Sequence, residues 1–403
     1  MKCDSRAGGL LRVFLLGGAG LVGQEAASLF AADSTVSEIT IAGRNPAKAT
    51  QAATVIGEKA NSIKADVMDE KGIARLIANY DIFVNTSGPD YRVQLPAVSA
   101  AIQAGVNYCD VSCDGPAAEK VIGLNTKAKA AGMTAIIGIG WIPGLTNLMM
   151  AHAVNRLDET ETVLACLFWP MADLVKGDTK KIAAELRDAG PYSASWETAM
   201  RCYSGDCRIY RNGKWVTVVP FENEIALPHP VSGTVRAYPA CSAEPVTFPR
   251  YISGLKNVST VISFSPFPLN ELAHQLASRI KAGEIDTKEA ALSFIETAGS
   301  DPDRWLTLTS KRDLELAVWI NALGVKDGAR TRYTLVQSID WASTGGPLYS
   351  AARRLLKGRI KEHGVLPPEA CIDPMPFMEE VASNVSGRQK GKKLFDESFE
   401  ELD

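Results

Sequence analysis

Three glycines stand in the stretch Gly18-Ala19-Gly20-Leu21-Val22-Gly23, between an apolar run of strand length and an alanine-rich stretch with helical character. In that context the first glycine permits a tight turn, the second lets a phosphate approach the backbone, and the third lets helix and strand pack closely. Free N–H groups at the start of the helix favour anions. The turn therefore predicts a pyrophosphate site of a dinucleotide at Gly18, Gly20, Leu21, Val22 and Gly23.

A basic group follows where the second strand of such a unit ends. Arg44 lies about twenty residues after Gly23, at a position where NAD enzymes usually carry an acid. A guanidinium binds a 2′-phosphate through two hydrogen bonds, whereas a carboxylate would repel it. Asn45 is adjacent, and Lys48 adds charge one turn into the next helix. The pattern predicts NADP over NAD, although Arg44 stacked on adenine or merely exposed is the open alternative.

Two further strand ends complete the predicted cofactor site. Asp66 and Val67 follow the third strand, where the adenine would lie, and Thr86, Ser87 and Gly88 follow the fourth. The carboxyl edge of a parallel sheet is where ligands bind, and small residues let the nicotinamide ribose come close. Ordinary loop chemistry is an equal alternative for any one of these residues.

Four titratable residues are candidates for acid–base chemistry, which imine reduction needs beside hydride transfer. Asp110 and Asp114 belong to a polar cluster at the end of the fifth strand. Glu244 would reach the cleft from the second half of the chain, and Tyr91 follows the 85–89 loop. For Asp110, capping of the next helix is an equal alternative, and for Glu244 a structural role is equally open.

The elements that must position these residues alternate regularly over the first third of the chain. Short apolar strands and helices in turn mean βαβ units and a parallel sheet. Six strands in that rhythm predict a doubly wound Rossmann fold. The predicted strands are Leu11–Leu16, Glu38–Ala42, Ser62–Ala65, Ile82–Val84, Tyr108–Val111 and Ala135–Ile139. The last intervening helix is predicted to run unbroken over Pro116–Ala131.

The later sequence has a different rhythm. Asn212-Gly213 joins two strands of a predicted hairpin, and a second hairpin turns at Lys326-Asp327-Gly328. With the strand Val258–Ser263 and helices between Asn270 and Gly299, these predict an α+β domain with a largely antiparallel mixed sheet. We expect a Rossmann domain over 1–145 completed by 342–403, and a substrate and dimerisation domain over 146–341.

Composition narrows the function classes. The 403 residues carry a net charge of −3, so a nucleic-acid partner is not expected. No apolar run reaches about 18 residues, so we expect no membrane partner. The first nine residues lack the apolar region of a secretory signal, and the eight cysteines form no CxxC pair. These features predict a cytoplasmic protein with reduced thiols and no metal site.

Several segments together resemble the saccharopine dehydrogenase family. They occur in the same order and run through nearly the whole chain. They are GGAGLVG (17–23), AGRNPAK (42–48), NTSGP (85–89), AGVNYCDVS (104–112), GWIPGLTN (140–147), AEPVTFPRYI (243–252), TGGPLYSAARRLLKGRI (344–360) and GVLPPE (364–369). The AEP and TGGP segments are the more diagnostic, because any dinucleotide domain could share the first.

The resemblance implies a two-domain enzyme that binds a nicotinamide cofactor and makes or breaks C–N bonds of amino acids and polyamines. It also implies a homodimer built on the second domain. One departure concerns the many members that carry Asp before Pro-Gly, because Ile142 stands there in this chain. If that Asp contacts substrate in relatives, the substrate of this chain is different or less cationic.

Three hypotheses about function remain at this point. The first is an NADP-dependent oxidoreductase that reduces an imine or oxidises an amine of an amino-acid or polyamine-like small molecule. The second is a reductase of a C=C or carbonyl substrate. The third is a dinucleotide-binding sensor without catalysis.

Overall fold

The computed structural model describes residues 10–188, 193–230, 233–385, 388–389 and 391–403. The first nine residues, which bear on the expected absence of a leader, lie outside this description. Within the described residues, no helix is both long and apolar enough to cross a membrane.

Strands and helices alternate from the start of the described chain. The first group is β1 (Leu11–Leu16), α1 (Leu21–Ala32), β2 (Val36–Gly43), α2 (Pro46–Ile56), β3 (Ala60–Lys64), α3 (Glu70–Ile77), β4 (Ile82–Asn85), α4 (Asp90–Ala104), β5 (Asn107–Asp110), α5 (Gly115–Ile122), α6 (Asn125–Ala130), β6 (Thr134–Ile136) and α7 (Leu145–Val154).

A second group of elements follows α7. It comprises β7 (Glu159–Pro170), α8 (Ala172–Lys176), α9 (Thr179–Arg187), α10 (Ser193–Ser204), β8 (Cys207–Arg211), β9 (Lys214–Val218), β10 (Ile225–His229), β11 (Gly233–Pro239), α11 (Glu244–Thr247), β12 (Asn257–Ser265), α12 (Pro268–Lys281), α13 (Thr287–Ser300), α14 (Pro302–Trp305), β13 (Ala317–Lys326) and β14 (Ala329–Gln337). The chain closes with α15 (Gly345–Leu356), β15 (Gly364–Leu366), α16 (Pro374–Ser383) and β16 (Phe395–Glu401). Short 3-10 turns lie at Pro220–Glu222, Phe248–Arg250, Lys311–Leu314, Ile339–Trp341 and Pro368–Ala370.

The first sheet has seven parallel strands in the order β15-β6-β5-β4-β1-β2-β3. The strand order reverses between β1 and β4, which are neighbours in the sheet but not in sequence. From β1 the chain proceeds outward through β2 and β3 on one side, and from β4 it proceeds outward through β5 and β6 on the other. At such a point the connections leave the sheet on opposite faces and open a crevice at the carboxyl edge. The predicted Rossmann fold is thereby confirmed, with a seventh strand added from the C-terminal part of the chain.

Local sequence explains where the helices of this sheet begin and end. Asn45 caps α2 by accepting a hydrogen bond from the Lys48 N–H, with Pro46 as the first helical residue. Gly105 ends α4 in the left-handed conformation. The single helix predicted over 116–131 is wrong, because α5 ends at Gly123 and the chain restarts as α6.

The second sheet comprises nine of the described strands and is mostly antiparallel. Its main path runs β10-β11-β12-β7-β13-β14-β16, and β8 and β9 attach beside β12. Among the described strands of this second sheet, only β12 and β7 pair in parallel. The largely antiparallel mixed sheet predicted for the second domain is confirmed.

Both predicted hairpins are present in this sheet. Asn212 and Gly213 join β8 and β9 with φ of 51° and 73°. Asp327 and Gly328 join β13 and β14 with φ of 50° and 83°. Positive φ at both central residues is the geometry of the tight turn that matches strand twist, which is why these dipeptides signal a hairpin.

Helix α7 connects the two sheets. Leu148 and Met149 share one buried apolar cluster with Val13 of β1 and with Ile320 of β13. The same helix carries Asn147, whose side chain is buried together with its neighbours. The cluster joins the two sheets into one continuous core, so they are held at a fixed relative position.

The C-terminal segment, expected to complete the first domain, contributes to both sheets. β15 extends the first sheet beside β6, and α15 packs on α1, where the Gly345 N–H donates to Glu25. β16 instead pairs antiparallel with β14 along the edge of the second sheet. At the start of α15, Glu25 thus accepts from the Gly345 N–H, and the Ser343 hydroxyl oxygen accepts from the Gly346 N–H at 2.8 Å.

Candidate active site

The glycine turn forms a narrow bend over the end of β1. The positive φ of the turn, 81°, falls on Gly17, the residue before the predicted motif, and not on Gly18. A Cβ on Gly17 would come within 2.5 Å of the Ser87 nitrogen. A Cβ on Gly23 would lie 2.5 Å from the Gly17 carbonyl oxygen and 2.8 Å from Thr86 Oγ1. The surrounding backbone therefore excludes a side chain at Gly17 and at Gly23. For Gly23 this matches the predicted role, which is to let helix and strand pack closely.

Gly20 faces a different environment. A Cβ there would meet nothing closer than the Gly17 carbonyl oxygen, at 3.4 Å. Gly20 is the N-cap residue of α1, and the first turn of that helix has no side-chain cap. Leu21, beside it, is 43% exposed. The helix therefore presents its N–H groups over open space, which fits the approach of a phosphate group.

The basic group predicted to select the cofactor stands at the carboxyl end of β2. Arg44 follows Gly43 directly, is exposed, and forms no ion pair within the described part of the chain. The side-chain oxygen of Asn45 accepts a hydrogen bond from the Lys48 N–H at 3.1 Å, so Asn45 caps α2. Arg44 and the exposed Lys48 thus lie at the start of one helix, where an anion is also favoured by the helix dipole.

The residues after β3 divide into an exposed and a buried one. Asp66 is exposed and accepts a hydrogen bond from the Met68 N–H at 3.0 Å, which shapes the loop. Val67 has its side chain in the apolar core beneath the sheet. Only its backbone is available to a ligand, so a side-chain contact from Val67 to adenine is not what this geometry offers.

The loop after β4 is held by its own side chains. Thr86 donates its hydroxyl to the Leu16 carbonyl, at 3.1 Å, and Ser87 donates to Asn85 Oδ1 at 2.6 Å. A Cβ on Gly88 would lie 2.9 Å from Cβ of Ala194 in α10. The loop therefore forms a rim of the crevice, and α10 covers its far end.

Asp110 is fully buried and saturated with donors. Its Oδ1 accepts from the N–H groups of Ser112 and Gly138, and its Oδ2 accepts from Gln94 Nε2 and the Tyr108 hydroxyl. Burial raises its pKa, although the four hydrogen bonds oppose that shift. The carboxylate joins β5 to α4 and to the segment after β6, and it caps no helix. This geometry favours a structural role over the predicted proton relay.

Asp114 and Tyr91 both contact side chains of α10. Asp114 caps α5 by accepting from the Ala117 N–H at 2.7 Å, and its Oδ2 is 3.4 Å from Arg201 Nε. Burial raises the pKa of Asp114, and the guanidinium of Arg201 opposes the rise. Tyr91 donates its hydroxyl to Glu197 Oε1 at 2.9 Å, and burial raises the pKa of that phenol. The structure thus brings these two predicted residues together around α10.

Glu244 does not reach the crevice. It is fully buried, and it accepts hydrogen bonds from the Thr146 hydroxyl, at 2.7 Å, and from the Ser242 hydroxyl. A second acid, Glu369, is held close by through Asn147 Nδ2 at 2.8 Å. Burial raises the pKa of Glu369 to about 7, and the charge of Glu244 adds to the rise. The geometry makes Glu244 part of a polar cluster under α7.

One acid at the crevice was missed in the sequence. Asp90 is the first residue of α4 and directly follows the loop that ends at Gly88 and Pro89. Its Oδ2 accepts a hydrogen bond from the Cys113 N–H at 2.6 Å. Burial raises the pKa of Asp90 to about 7, with further contributions from the charges of Asp110 and Asp114. Its position one residue past the 85–89 motif was the available signal.

Glu197 and Arg201 were also missed. Both belong to α10, which carries no glycine or strand signal of its own and lies about 100 residues after Tyr91 in sequence. Within the described residues, no cluster of three or more potential ligands is arranged to hold a metal ion.

Comparison with known proteins agrees with this description of the first domain. Residues 13–136 match the family model described as the saccharopine dehydrogenase NADP binding domain. This match confirms NADP as the predicted cofactor. The fold of the whole chain is similar to that of a saccharopine dehydrogenase (L-Glu forming) from Saccharomyces cerevisiae, with a TM-score of 0.62 and 18% identity over 96% of this chain and 99% of that one.

Two relatives of known activity cover nearly the entire sequence. A carboxyaminopropylagmatine dehydrogenase from Synechocystis sp. is 24% identical over 90% of this chain and 94% of its own length. A carboxynorspermidine synthase from Vibrio alginolyticus is 25% identical over 91% of this chain and 94% of its own. The resemblance to the saccharopine dehydrogenase family predicted from the sequence motifs is thereby confirmed.

Proposed function

We propose that this chain, an NADP-binding oxidoreductase similar to the saccharopine dehydrogenases, transfers hydride between NADP and a C–N bond of an amino-acid or polyamine-like substrate. One observation carries the proposal. Gly17 and Gly23 of the β1–α1 turn, where no side chain fits, lie beside the uncapped N-terminus of α1. With the exposed Arg44, they belong to the segment that matches an NADP-binding family model. The two relatives whose names describe carboxylated amines support the choice of a C–N bond.

The cofactor site follows from the crevice residues. We assign the pyrophosphate to the turn and the 2′-phosphate to the basic group after β2, and the ends of β3 and β4 to adenine and the nicotinamide ribose. When bound, the cofactor supplies or accepts the hydride. The assigned residues are Gly18, Gly20, Leu21, Val22 and Gly23, then Arg44, Asn45 and Lys48, then Asp66 and the backbone of Val67, then Thr86, Ser87 and Gly88.

Asp90 and Tyr91 are the proposed acid–base groups. Imine chemistry needs a group that gains and loses a proton near neutral pH, and the pKa of Asp90, raised by burial to about 7, meets that need. Tyr91 keeps its proton at neutral pH, since the usual tyrosine pKa of about 10 is already high and burial raises it further, so its role is to donate a hydrogen bond. Asp114 remains a charged neighbour in this proposal, while Asp110 and Glu244 position the loops around the crevice.

The wider organisation is also part of the proposal. We infer a Rossmann domain over 1–145 with most of 342–403, and a second domain over 146–341 to which β16 adds a strand. A homodimer formed through the second domain and a cytoplasmic location are the expectations that the family resemblance and the free thiols support. Size-exclusion chromatography with light scattering would test the dimer.

The experiment that tests the activity is an NADPH oxidation assay. Purified protein is mixed with lysine or a diamine and with a keto acid or an aldehyde acid, and the decrease in NADPH absorbance is followed. The expected result is turnover that requires both the amine and the carbonyl compound. Asp90→Asn should reduce kcat by about 100-fold or more, the usual contribution of a general acid or base. NADPH binding without turnover of any pair, or turnover of an enoyl compound instead, would refute the proposed reaction.

A further inference from the structure

Arg201 occupies the junction between the two domains. It projects from α10 of the second domain, with Nε 3.4 Å from Asp114 Oδ2 and its guanidinium carbon 5.6 Å from the centre of the Tyr91 ring. Asp114 caps α5, which follows β5, and Tyr91 lies in the first turn of α4, which follows β4. Since these strand ends form the carboxyl edge of the parallel sheet, the guanidinium lies at the edge where ligands of such sheets bind.

Most of the hydrogen-bonding capacity of Arg201 is unused. A guanidinium has five N–H donors, and within the described chain only Nε has a hydrogen-bond acceptor, at the long distance of 3.4 Å. The other carboxylate oxygen of Asp114 accepts a hydrogen bond from the Ala117 N–H and so caps α5. The side chain of Arg201 is 31% exposed, so the guanidinium is neither sealed in the interior nor fully hydrated. Its two terminal nitrogens form a planar fork suited to a carboxylate.

A second arginine at the same domain junction shows the contrast. Arg208 pairs with Glu119 of α5, which also accepts from Arg250 Nη2 at 3.3 Å. Both guanidinium groups lie over the ring of Trp215, at 5.7 Å and 4.8 Å. Through Glu119 and Trp215, this pair of arginines joins the β8–β9 hairpin to α5. Arg208 is exposed to a similar degree as Arg201, yet its ion pair with Glu119 is close, whereas the contact of Arg201 with Asp114 is long, at 3.4 Å.

Helix α10 presents an acid beside Arg201. Glu197 lies one turn earlier on the same face, and its side chain is 12% exposed. It accepts from the Tyr91 hydroxyl at 2.9 Å and lies 3.8 Å from Arg92. One turn before Glu197, Ala194 contacts Gly88 at the rim of the crevice. The helix therefore carries a negative and a positive group in sequence along the edge of the crevice.

We propose that Arg201 determines substrate specificity by binding a carboxylate of the substrate, while Glu197 faces its amine. The substrate class is an amine or imine that carries a carboxylate close to the reacting carbon. This inference rests on the proposed function, because it names the chemistry of the same crevice. Binding through the fork would add two charge-assisted hydrogen bonds to the long contact that Nε makes with Asp114.

The test compares Arg201→Gln with the matched control Arg208→Gln. The probes are the best carboxylated carbonyl compound of the NADPH assay and its carboxamide, each with the same amine. Wild-type protein should prefer the acid over the amide by about tenfold to a hundredfold in kcat/KM, the range expected for hydrogen bonds to a charged group. In Arg201→Gln that preference should fall to about one, mainly through KM, while Arg208→Gln keeps it.

Binding provides a second readout that does not depend on turnover. The same acid and amide are titrated by calorimetry into protein saturated with NADP, and NADPH affinity is measured for each variant as a check on the folded state. A wild-type preference for the acid in Arg201→Gln, by rate or by binding, overturns the inference. So does an equal loss of preference in Arg208→Gln, since that would assign the effect to the domain junction. Failure of turnover in wild-type protein would count against the proposed reaction alone.

Discussion

Substitution of two glycines in the turn separates the folding role of the motif from its binding role. In Gly23→Ala the new methyl would lie 2.5 Å from the Gly17 oxygen, 2.6 Å from Gly18 Cα and 2.8 Å from Thr86 Oγ1. Two of these atoms belong to the backbone, so relief requires the strand and helix to move apart. Overpacking of this kind costs about 1–3 kcal/mol of unfolding free energy.

Gly20→Ala has the opposite expectation. Gly20 has φ of −79° and ψ of 171°, an extended conformation open to any residue, and its added Cβ would meet only the Gly17 oxygen, at 3.4 Å. The unfolding free energy should therefore change by less than about 0.5 kcal/mol, as for other substitutions without a clash. The methyl would occupy the space through which phosphate reaches the helix N–H groups. Loss of hydrogen bonds to that charged group should raise the Kd for NADPH by about tenfold to a hundredfold.

Urea unfolding and NADPH fluorescence titration measure the two quantities. Gly23→Ala should lower the unfolding midpoint without cofactor, whereas Gly20→Ala should change only the cofactor affinity and the stabilisation that saturating NADPH provides. A Gly20→Ala protein that binds NADPH as tightly as wild type would refute the assignment of the pyrophosphate to this turn. A Gly23→Ala protein of unchanged stability would refute the steric argument.

Three further predictions concern the cofactor, pH and a turn. Arg44→Glu should raise KM for NADPH by about 10–100-fold and leave KM for NADH nearly unchanged, because the new carboxylate repels only the 2′-phosphate. Steady-state kinetics with both cofactors measure this, and an equal change in the two KM values would contradict it. Burial raises the pKa of Glu369 from 4.5 to about 7, so the folded state favours its protonated form, and the resulting stability is complete below about pH 4 and lost as pH rises through 7. Glu369→Gln should therefore flatten the decline of unfolding free energy over that range in urea titrations, and an unaltered slope would count against it. Gly213→Ala should lower the unfolding free energy by about 1 kcal/mol, because φ is 73°, a conformation that residues with a Cβ disfavour. A steric clash does not contribute, since an added Cβ meets no atom within 4 Å. An unchanged urea midpoint would show that the turn tolerates alanine.

The first sheet was predictable because its signals are local. Each strand, cap and turn is written in a few adjacent residues, such as Asn45-Pro46 at the start of α2 or Asn212-Gly213 between two strands. The break after α5 was not anticipated, because a lone glycine such as Gly123 is tolerated within many helices. The position of β16 depends on pairing with β14 about 65 residues earlier, which no local pattern specifies.

The candidate site was predictable only where it lies on the turn and strand ends. Asp110 and Glu244 were identified as titratable residues in promising segments, but burial and hydrogen-bond saturation depend on partners such as Gly138 and Thr146 that are distant in sequence. Arg201 contributes through a helix of the second domain, so its proximity to Asp114 follows from domain packing and from no motif.

The path of the chain through the two sheets has a consequence for synthesis. The polypeptide builds six strands of the first sheet, passes into the second, returns to add β15 beside β6, and ends as β16 on the second sheet. While the ribosome is still producing residues 146–363, β6 has an open edge and the surface of α1 that α15 covers is exposed. Neither sheet is complete until the last few dozen residues have emerged. The first sheet therefore reaches its final form only after most of the second sheet has been synthesised, and β6 keeps an unpaired edge, of the kind that promotes aggregation, throughout that interval.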